Sequence, residues 1–259
     1  MCRWLNLPRS SYYYKTSEPV SEADLEEKVK QIFLESQSRY GARKIKQCLA
    51  TDGIILSRRR IRRIMKRLNL VSVYQQASFK PYAKGKNEAP IPNLLDRQFY
   101  QEKPLEVIVT DLTYVRVGQR WAYVCLIIDL FNREIIGVSV GWQKTAELVK
   151  QAIQSIPYAL TKVNLFHSDR GKEFDNQLID EVLEAFGITR SLSQAGCPYD
   201  NAVAESTYLS FKLEFIHQET FHSLKELTLK TKNYVHWWNH HRIHGSLNYQ
   251  TPIAKRVTA

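Results

Sequence analysis

Three acidic residues carry the chemistry this 259-residue chain can perform: Asp111, Asp169 and Glu205. Asp111 stands inside the β-rich run Leu105–Val115, where an ionised side chain among Val, Ile and Leu is costly without a partner. Asp169 closes the apolar run Leu165-Phe166-His167, and Glu205 follows it after 35 intervening residues, just beyond the polar loop SLSQAGCPYDN. Taken alone, Asp169 reads equally well as a turn former or a helix cap, and Asp129 reads as a structural acid. Gathered at one point, three carboxylates repel one another and resist ionising jointly. A pair of divalent cations removes that conflict. Oxygen-only ligands with open positions suit Mg²⁺, and two such ions about 3.5–4 Å apart clamp the attacking and leaving oxygens of a phosphoryl transfer.

The elements that must position these acids are legible in the hydrophobic rhythm. Leu105–Val115, Trp121–Asp129 and Glu134–Val140 are β-rich and separated by short connections at Gly118 and Asn132, which predicts a three-stranded antiparallel meander. A helix over about 145–157, a strand Val163–His167, a helix over about 176–186 and a short strand Ile188–Ser191 follow. A further helix starts near Asp200 and carries Ala202, Val203, Glu205, Leu209, Leu213 and Phe215. Three strands followed by alternating helix and strand predict an α/β domain with helices on a mixed sheet, in the ribonuclease-H-like order. His167 shares a strand face with Asp169 and is placed for supporting a ligand or touching a phosphate. Asn201, one helical turn before Glu205, is placed to orient that carboxylate or contact DNA. Gly171 is read as letting the chain turn away without crowding a DNA backbone.

The net charge of +11 is confined to the first part of the chain: residues 1–103 hold 21 Lys+Arg against 10 Asp+Glu, and residues 104–259 hold 16 of each. A basic module joined to a neutral one points to a polyanion held by the first. Ser21 caps a helix carrying Leu25, Val29, Ile32 and Phe33; a second helix carries Ile45, Cys48 and Leu49 and ends at Asp52-Gly53. Ser57 opens a third, whose Ile61, Ile64, Met65 and Leu68 form one apolar face while Arg58, Arg59, Arg60, Arg62, Arg63, Lys66 and Arg67 cover the rest. Such a trio suits a helix-turn-helix, with its cations contacting mostly phosphates. The prolines and glycine of SFKPYAKGKNEAPIPN predict a linker lying along DNA or a partner and not packed in a core. The expected division is a basic domain over 1–75, a linker over 76–103, a catalytic core over 104–218 and a C-terminal helix and tail over 219–259.

Asp111, the run HSDRG at 167–171 and the run DNAVAES at 200–206 together resemble the DDE triad of transposases and retroviral integrases. Their wording is most similar to the second reading frame of the insertion-sequence family named IS-three, and the likeness covers nearly the whole chain. Residues 21–70, with RYGARKI and its Arg43 and Lys44, resemble that family's helix-turn-helix, and WNHHRIHGSLNYQTP resembles its closing YNxxRxHxxLxYxTP signature. Trp238 and Ile243 stand where tyrosine and proline are common.

The resemblance implies a DNA strand-transfer enzyme in which Asp111, Asp169 and Glu205 hold two Mg²⁺, with Mn²⁺ as a substitute. It implies that Lys212, seven residues and two turns beyond Glu205, touches donor DNA. It implies as partners double-stranded DNA of the element ends and target, a second copy of the chain, and an upstream reading-frame product as a fusion. A bacterial cytoplasmic, nucleoid-associated protein is expected, with no membrane partner: no apolar run approaches 18 residues, and the N-terminal stretch lacks a signal-peptide core. Cys2, Cys48, Cys125 and Cys197 are too scattered for a zinc site or a disulfide framework. His236 and His240 on what reads as the last helix have the spacing of a zinc pair, but Trp237 occupies the place of a metalloprotease glutamate. The competing functional class is a non-catalytic DNA-binding regulator, or a domesticated protein that only binds ends.

Overall fold

The structure is a computed structural model that describes residues 21–74 and 91–258. Its contacts form two compact units, Met1–Ser72 and Val73–Ala259.

The first unit contains helices α1 (Glu22–Glu35), α2 (Ala42–Thr51) and α3 (Arg58–Arg67). Ser21 and Ser57 cap α1 and α3, their hydroxyls accepting from the backbone N–H of Asp24 at 3.0 Å and Arg60 at 3.2 Å. Leu25, Val29, Ile32 and Phe33 pack with Ile45, Leu49, Ile61, Ile64 and Met65, so each helix buries one stripe in a shared core. Of the seven cations on α3, Arg60 and Arg67 turn back to Glu22, and Arg67 also reaches Glu26 of α1. Arg58, Arg59, Arg62, Arg63 and Lys66 remain exposed.

The second unit is built on a five-stranded sheet in the order β3-β2-β1-β4-β5. The strands are β1 (Val107–Val117), β2 (Arg120–Asp129), β3 (Ile135–Gly141), β4 (Leu165–Ser168) and β5 (Thr189–Leu192). β1, β2 and β3 form the expected antiparallel meander; β4 joins β1 in parallel and β5 joins β4 in parallel. Side-chain alternation gives the sheet two apolar faces. On one, Ile108, Cys125, Ile127 and Ile136 pack beneath α4 (Ala146–Gln154) and α5 (Gln177–Ala185). On the other, Val109, Val115, Leu126 and Ile128 pack beneath α6 (Ala202–Glu214) and α7 (Leu224–His240), against Tyr208, Phe211, Phe215, Tyr234 and Trp238.

Two expectations change. The linker expectation fails from residue 91 onward, the part over 76–90 lying outside the described residues. Pro92 O accepts from Leu192 N–H, the Leu94 N–H donates to Ser191 Oγ at 2.9 Å, and Leu95 is buried in the core. The segment covers the free edge of β5, where unpaired backbone groups would otherwise be exposed. The region after 219 packs on the sheet. Asn239 of α7 holds Ile135 of β3 through both amide atoms at 2.9 Å, and a short helix α8 (Pro252–Val257), absent from the sequence reading, follows it. The His236/His240 helix is therefore not the last.

Candidate active site

The register between β1 and β4 places the first two acids. Val109 pairs with His167, so two residues further along parallel neighbours Asp111 and Asp169 arrive side by side, Asp111 within β1 and Asp169 just past the end of β4. Period-two alternation puts both side chains on one face. β4 ends at Ser168, and the Asp169 carboxylate turns onto the Gly171 N–H at 3.0 Å. A Cβ at 171 would meet the Glu173 carboxylate, which Lys144 holds, so the turn is closely packed at Gly171.

Glu205 is delivered by a helix pinned to β1 on both sides of Asp111. Asn201 Nδ2 donates to Thr110 O at 3.0 Å, and the Tyr208 hydroxyl donates to Asp111 O while accepting from Leu126 N–H at 2.6 Å. Positions 201, 205 and 208 lie on one helical face, so these two tethers direct Glu205 toward the same strand.

Burial pushes the Asp111 carboxyl up to about 7, and the charges of Asp169 and Glu205 add to that rise against the Leu112 N–H and the Lys144 cation. Burial also raises the Asp169 and Glu205 carboxyls. Of the three, only Asp111 feels both of the others. The three do not close into a ligand cage in this structure: among the described residues no group of three or more His, Cys, Asp or Glu is arranged to hold a metal ion. Three like charges without a counter-ion repel, which opposes such closure. The donor set itself is all oxygen, matching a hard divalent cation.

The remaining motif residues are largely supports. His167 is fully buried, its ring nitrogens on Ser191 Oγ at 2.8 Å and Ser193 Oγ at 3.0 Å, and burial holds it neutral with a pKa lowered to about 4. It cannot touch a phosphate; it ties β4 to β5. Asn201 is also buried and serves β1, not DNA. Arg170 clips Ser193 O at 2.7 Å and Ile91 O at 3.0 Å, and Asp200 takes Arg97 at 2.7 Å. Lys212 lies beside Tyr114, its Nζ 5.1 Å from the ring centroid. In the closing signature, Arg242 grips the buried Glu214 through Nε at 2.9 Å and a terminal nitrogen at 2.8 Å, and it stacks on Trp238. That signature clamps α6 to α7.

Sequence reasoning missed Lys144, Glu173 and Tyr208. Lys144 Nζ is 2.8 Å from the buried Glu173 and stands near enough to Asp111 and Asp169 to be raised by both, after the Glu173 contact itself. Tyr208 was accessible from helical spacing, three residues beyond Glu205; Lys144 and Glu173 meet only through tertiary packing. On the basic unit, Arg59, Arg60, Arg63 and Arg67 line a cleft of about 560 Å³ with Glu22, Ser57 and Ile64. Arg43 is exposed, and Lys44 lies over the Tyr40 ring at 4.7 Å. His236, His240 and His241 form an exposed imidazole group, with ring centroids 4.3 Å and 5.7 Å from His236.

Comparison with known proteins agrees with this architecture. The HTH-like domain family matches residues 20–78, and two integrase core domain families match residues 101–198 and 186–252. The chain is similar to the putative transposase InsK for insertion sequence element IS150 of Escherichia coli (strain K12), 30% identical over 264 residues, covering 99% of this chain and 92% of that protein. It is similar also to the transposase InsF for insertion sequence IS3A of the same organism, 28% identical over 263 residues, covering 96% and 91%. In fold it resembles a chain of the simian T-cell lymphotropic virus intasome solved in complex with PP2A regulatory subunit B56 gamma, with TM-score 0.50, 13% identity, 88% of this chain and 74% of that chain. Full-length identity to insertion-sequence transposases, with an HTH-like domain ahead of an integrase core, establishes that the chain belongs to the IS-three (IS3) family of transposases, DNA-binding proteins of DNA transposition.

Proposed function

We propose that Asp111, Asp169 and Glu205 form the catalytic centre of this transposase and hold two Mg²⁺, or Mn²⁺ in their place, during cleavage and joining of DNA strands at the element ends. The observation that carries the reading is the β1–β4 register, which brings Asp111, within β1, beside Asp169, just past the end of β4, with α6 tethered to Thr110 O and Asp111 O. The fit of the metal rests on the all-oxygen donor set and on an Asp111 carboxyl raised to about 7, a charge conflict that cations relieve. Asp111, Asp169 and Glu205 would hold the ions, and the chemistry these would supply is activation of water or a DNA 3′-hydroxyl and stabilisation of the leaving 3′-oxygen.

The chain's own residues do the rest. Tyr208 and Asn201 fix the distance between α6 and β1, and His167, held neutral between two serines, keeps β4 aligned so that Asp169 stays beside Asp111. Lys144 supplies a positive charge next to two of the acids and is held by Glu173, in position for a DNA phosphate. Arg43, Arg58, Arg59, Arg62, Arg63 and Lys66 contact duplex DNA, chiefly its phosphates. Joining two element ends requires both to be held at once, so the chain works as a dimer or larger assembly on DNA.

The test is incubation with Mg²⁺ and a labelled duplex carrying the element's terminal repeats. Joined products that disappear with Asp169→Asn support the assignment. Binding of that duplex by the wild type with no cleavage at all would favour an end-binding regulator.

A further inference from the structure

Beyond the acidic centre, β1 continues into a surface the proposed chemistry does not use. Tyr114 and Trp121 are 58% and 48% exposed, near the hairpin end of β1 and β2. They are diagonal neighbours on β1 and β2, since Tyr114 pairs with Tyr123 and Arg116 with Trp121. Their rings meet at 89° with centroids 5.1 Å apart, forming a corner with aromatic walls. Leaving two large rings in water forfeits apolar burial, and contiguous exposed aromatics on a soluble unit mark a binding surface.

Cations frame the corner. The Arg116 guanidinium lies 5.2 Å from the Trp121 ring and is anchored by its own hairpin, donating to Gly118 O at 3.0 Å and Gln119 Oε1 at 3.1 Å. Lys212 Nζ lies over Tyr114, and Arg120 lies over the neighbouring Trp142 at 4.2 Å. The cleft beside them, about 340 Å³, is lined also by Val115, Ile216, His217, Glu219 and Phe221. Its single acid, Glu219, is neutralised by Lys230 at 2.7 Å. Positive charge around π-faces is the composition of a single-strand nucleic-acid platform: rings stack on unpaired bases, cations hold the backbone.

Tyr114 is three residues beyond Asp111 on β1, about 10 Å, and Lys212 is seven beyond Glu205 on α6, also about 10 Å. The odd step from Asp111 turns Tyr114 to the opposite face of the sheet, where its ring meets Trp121, and Lys212 reaches that ring from α6.

We propose that Tyr114 and Trp121, with Arg116 and Lys212, form a stacking site for an unpaired base of the DNA that the chain holds. The site grips frayed or single-stranded DNA and not intact duplex, which the basic helical unit serves. This rests on the reading of the chain as a DNA-joining transposase, but its binding chemistry is separable from catalysis.

The experiment uses the full chain in EDTA, so no strand is cut. Two fluorescent duplexes are compared by anisotropy: one blunt, one with a short single-stranded overhang containing 2-aminopurine. In the wild type, quenching of the 2-aminopurine is expected on binding. Trp121→Ala and Tyr114→Ala should each weaken overhang binding roughly tenfold, the scale of one lost base stack, and leave blunt-duplex binding unchanged. Trp121→Phe should retain most of the affinity. Absence of quenching in the wild type overturns the proposal without any variant. So does equal loss on both duplexes, or a Trp121→Ala protein that binds both normally but sediments as a smaller species, which would make the corner a contact between copies. Because metal is absent, failure here leaves the assignment of the acids standing, and failure of Asp169→Asn to abolish joining leaves this binding result intact.

Discussion

The second unit holds two groups of acids that chemistry alone would not tell apart. At one, Asp129 and Glu134 are both ligated by Arg256 at 2.6 Å, with Leu105 and Phe131 N–H groups on Asp129 and the Tyr158 hydroxyl on Glu134 at 2.7 Å. Burial pushes the Asp129 carboxyl up while those N–H groups and the arginine pull it back. At the other, Asp111, Asp169 and Glu205 receive one backbone N–H each at Asp111 and Asp169, and their nearby cation, Lys144, is committed to Glu173. The difference is the counter-charge. A structural cluster carries its own arginine; a site that must take up cations leaves the charge unmatched and accepts a destabilised resting state.

Substitutions can break or sharpen this contrast. The largest effect is expected on activity: Asp111→Asn, Asp169→Asn and Glu205→Gln should each reduce strand joining to background while far-ultraviolet circular dichroism stays native. The mirror substitution, Arg256→Ala, should leave two buried carboxylates without their counter-charge and cost about 3–5 kcal/mol in urea unfolding. If it costs nothing, the distinction fails. Tyr208→Phe removes the donor to Asp111 O and strands the Leu126 N–H, at a cost of about 1–3 kcal/mol, and should lower joining more than DNA binding.

Acidity gives a subtler test. The Asp111 carboxyl titrates at about 7 when folded against 3.8 in its ordinary state, so the folded chain holds the extra proton between those values. Stability contributed by this group therefore falls as pH rises through that window, and the loss is complete above it. Asp111→Asn should melt higher than wild type by a few degrees near pH 8, with the gap closing toward pH 4. Mg²⁺ should raise the wild-type melting temperature at pH 8 and leave that of the variant nearly unchanged. The smallest effect belongs to the basic unit: Arg67→Ala breaks exposed pairs to Glu22 and Glu26 and should cost less than about 1 kcal/mol.

Most of the fold was legible because its periodicities are strong. Ile61, Ile64 and Met65 repeat at helical spacing and are buried as that spacing predicts; the strand runs of β1, β2 and β3 alternate between two apolar faces. Segments without periodicity were misread. Pro92 to Leu95 looks like linker by composition, yet its backbone covers an edge strand and Leu95 fills the core. The closing signature looked like a tail, because Asn239, Arg242 and Trp238 act through contacts with Ile135, Glu214 and Arg133 far away in the chain.

The sequence by itself determined the types and order of the acids, the caps and apolar stripes of the basic helices, the meander and the family wording of the motifs. These are local properties, set by side-chain chemistry and by spacings of two or 3.6 residues. Only the tertiary structure decided what each motif residue does. The β1–β4 register set Asp111 beside Asp169, and the same pairing buried His167 away from any phosphate. Packing joined Lys144 to Glu173, gave Arg256 to one acidic cluster and left the other unmatched. Such pairings link residues tens of positions apart, and no local pattern encodes which cation a buried carboxylate meets.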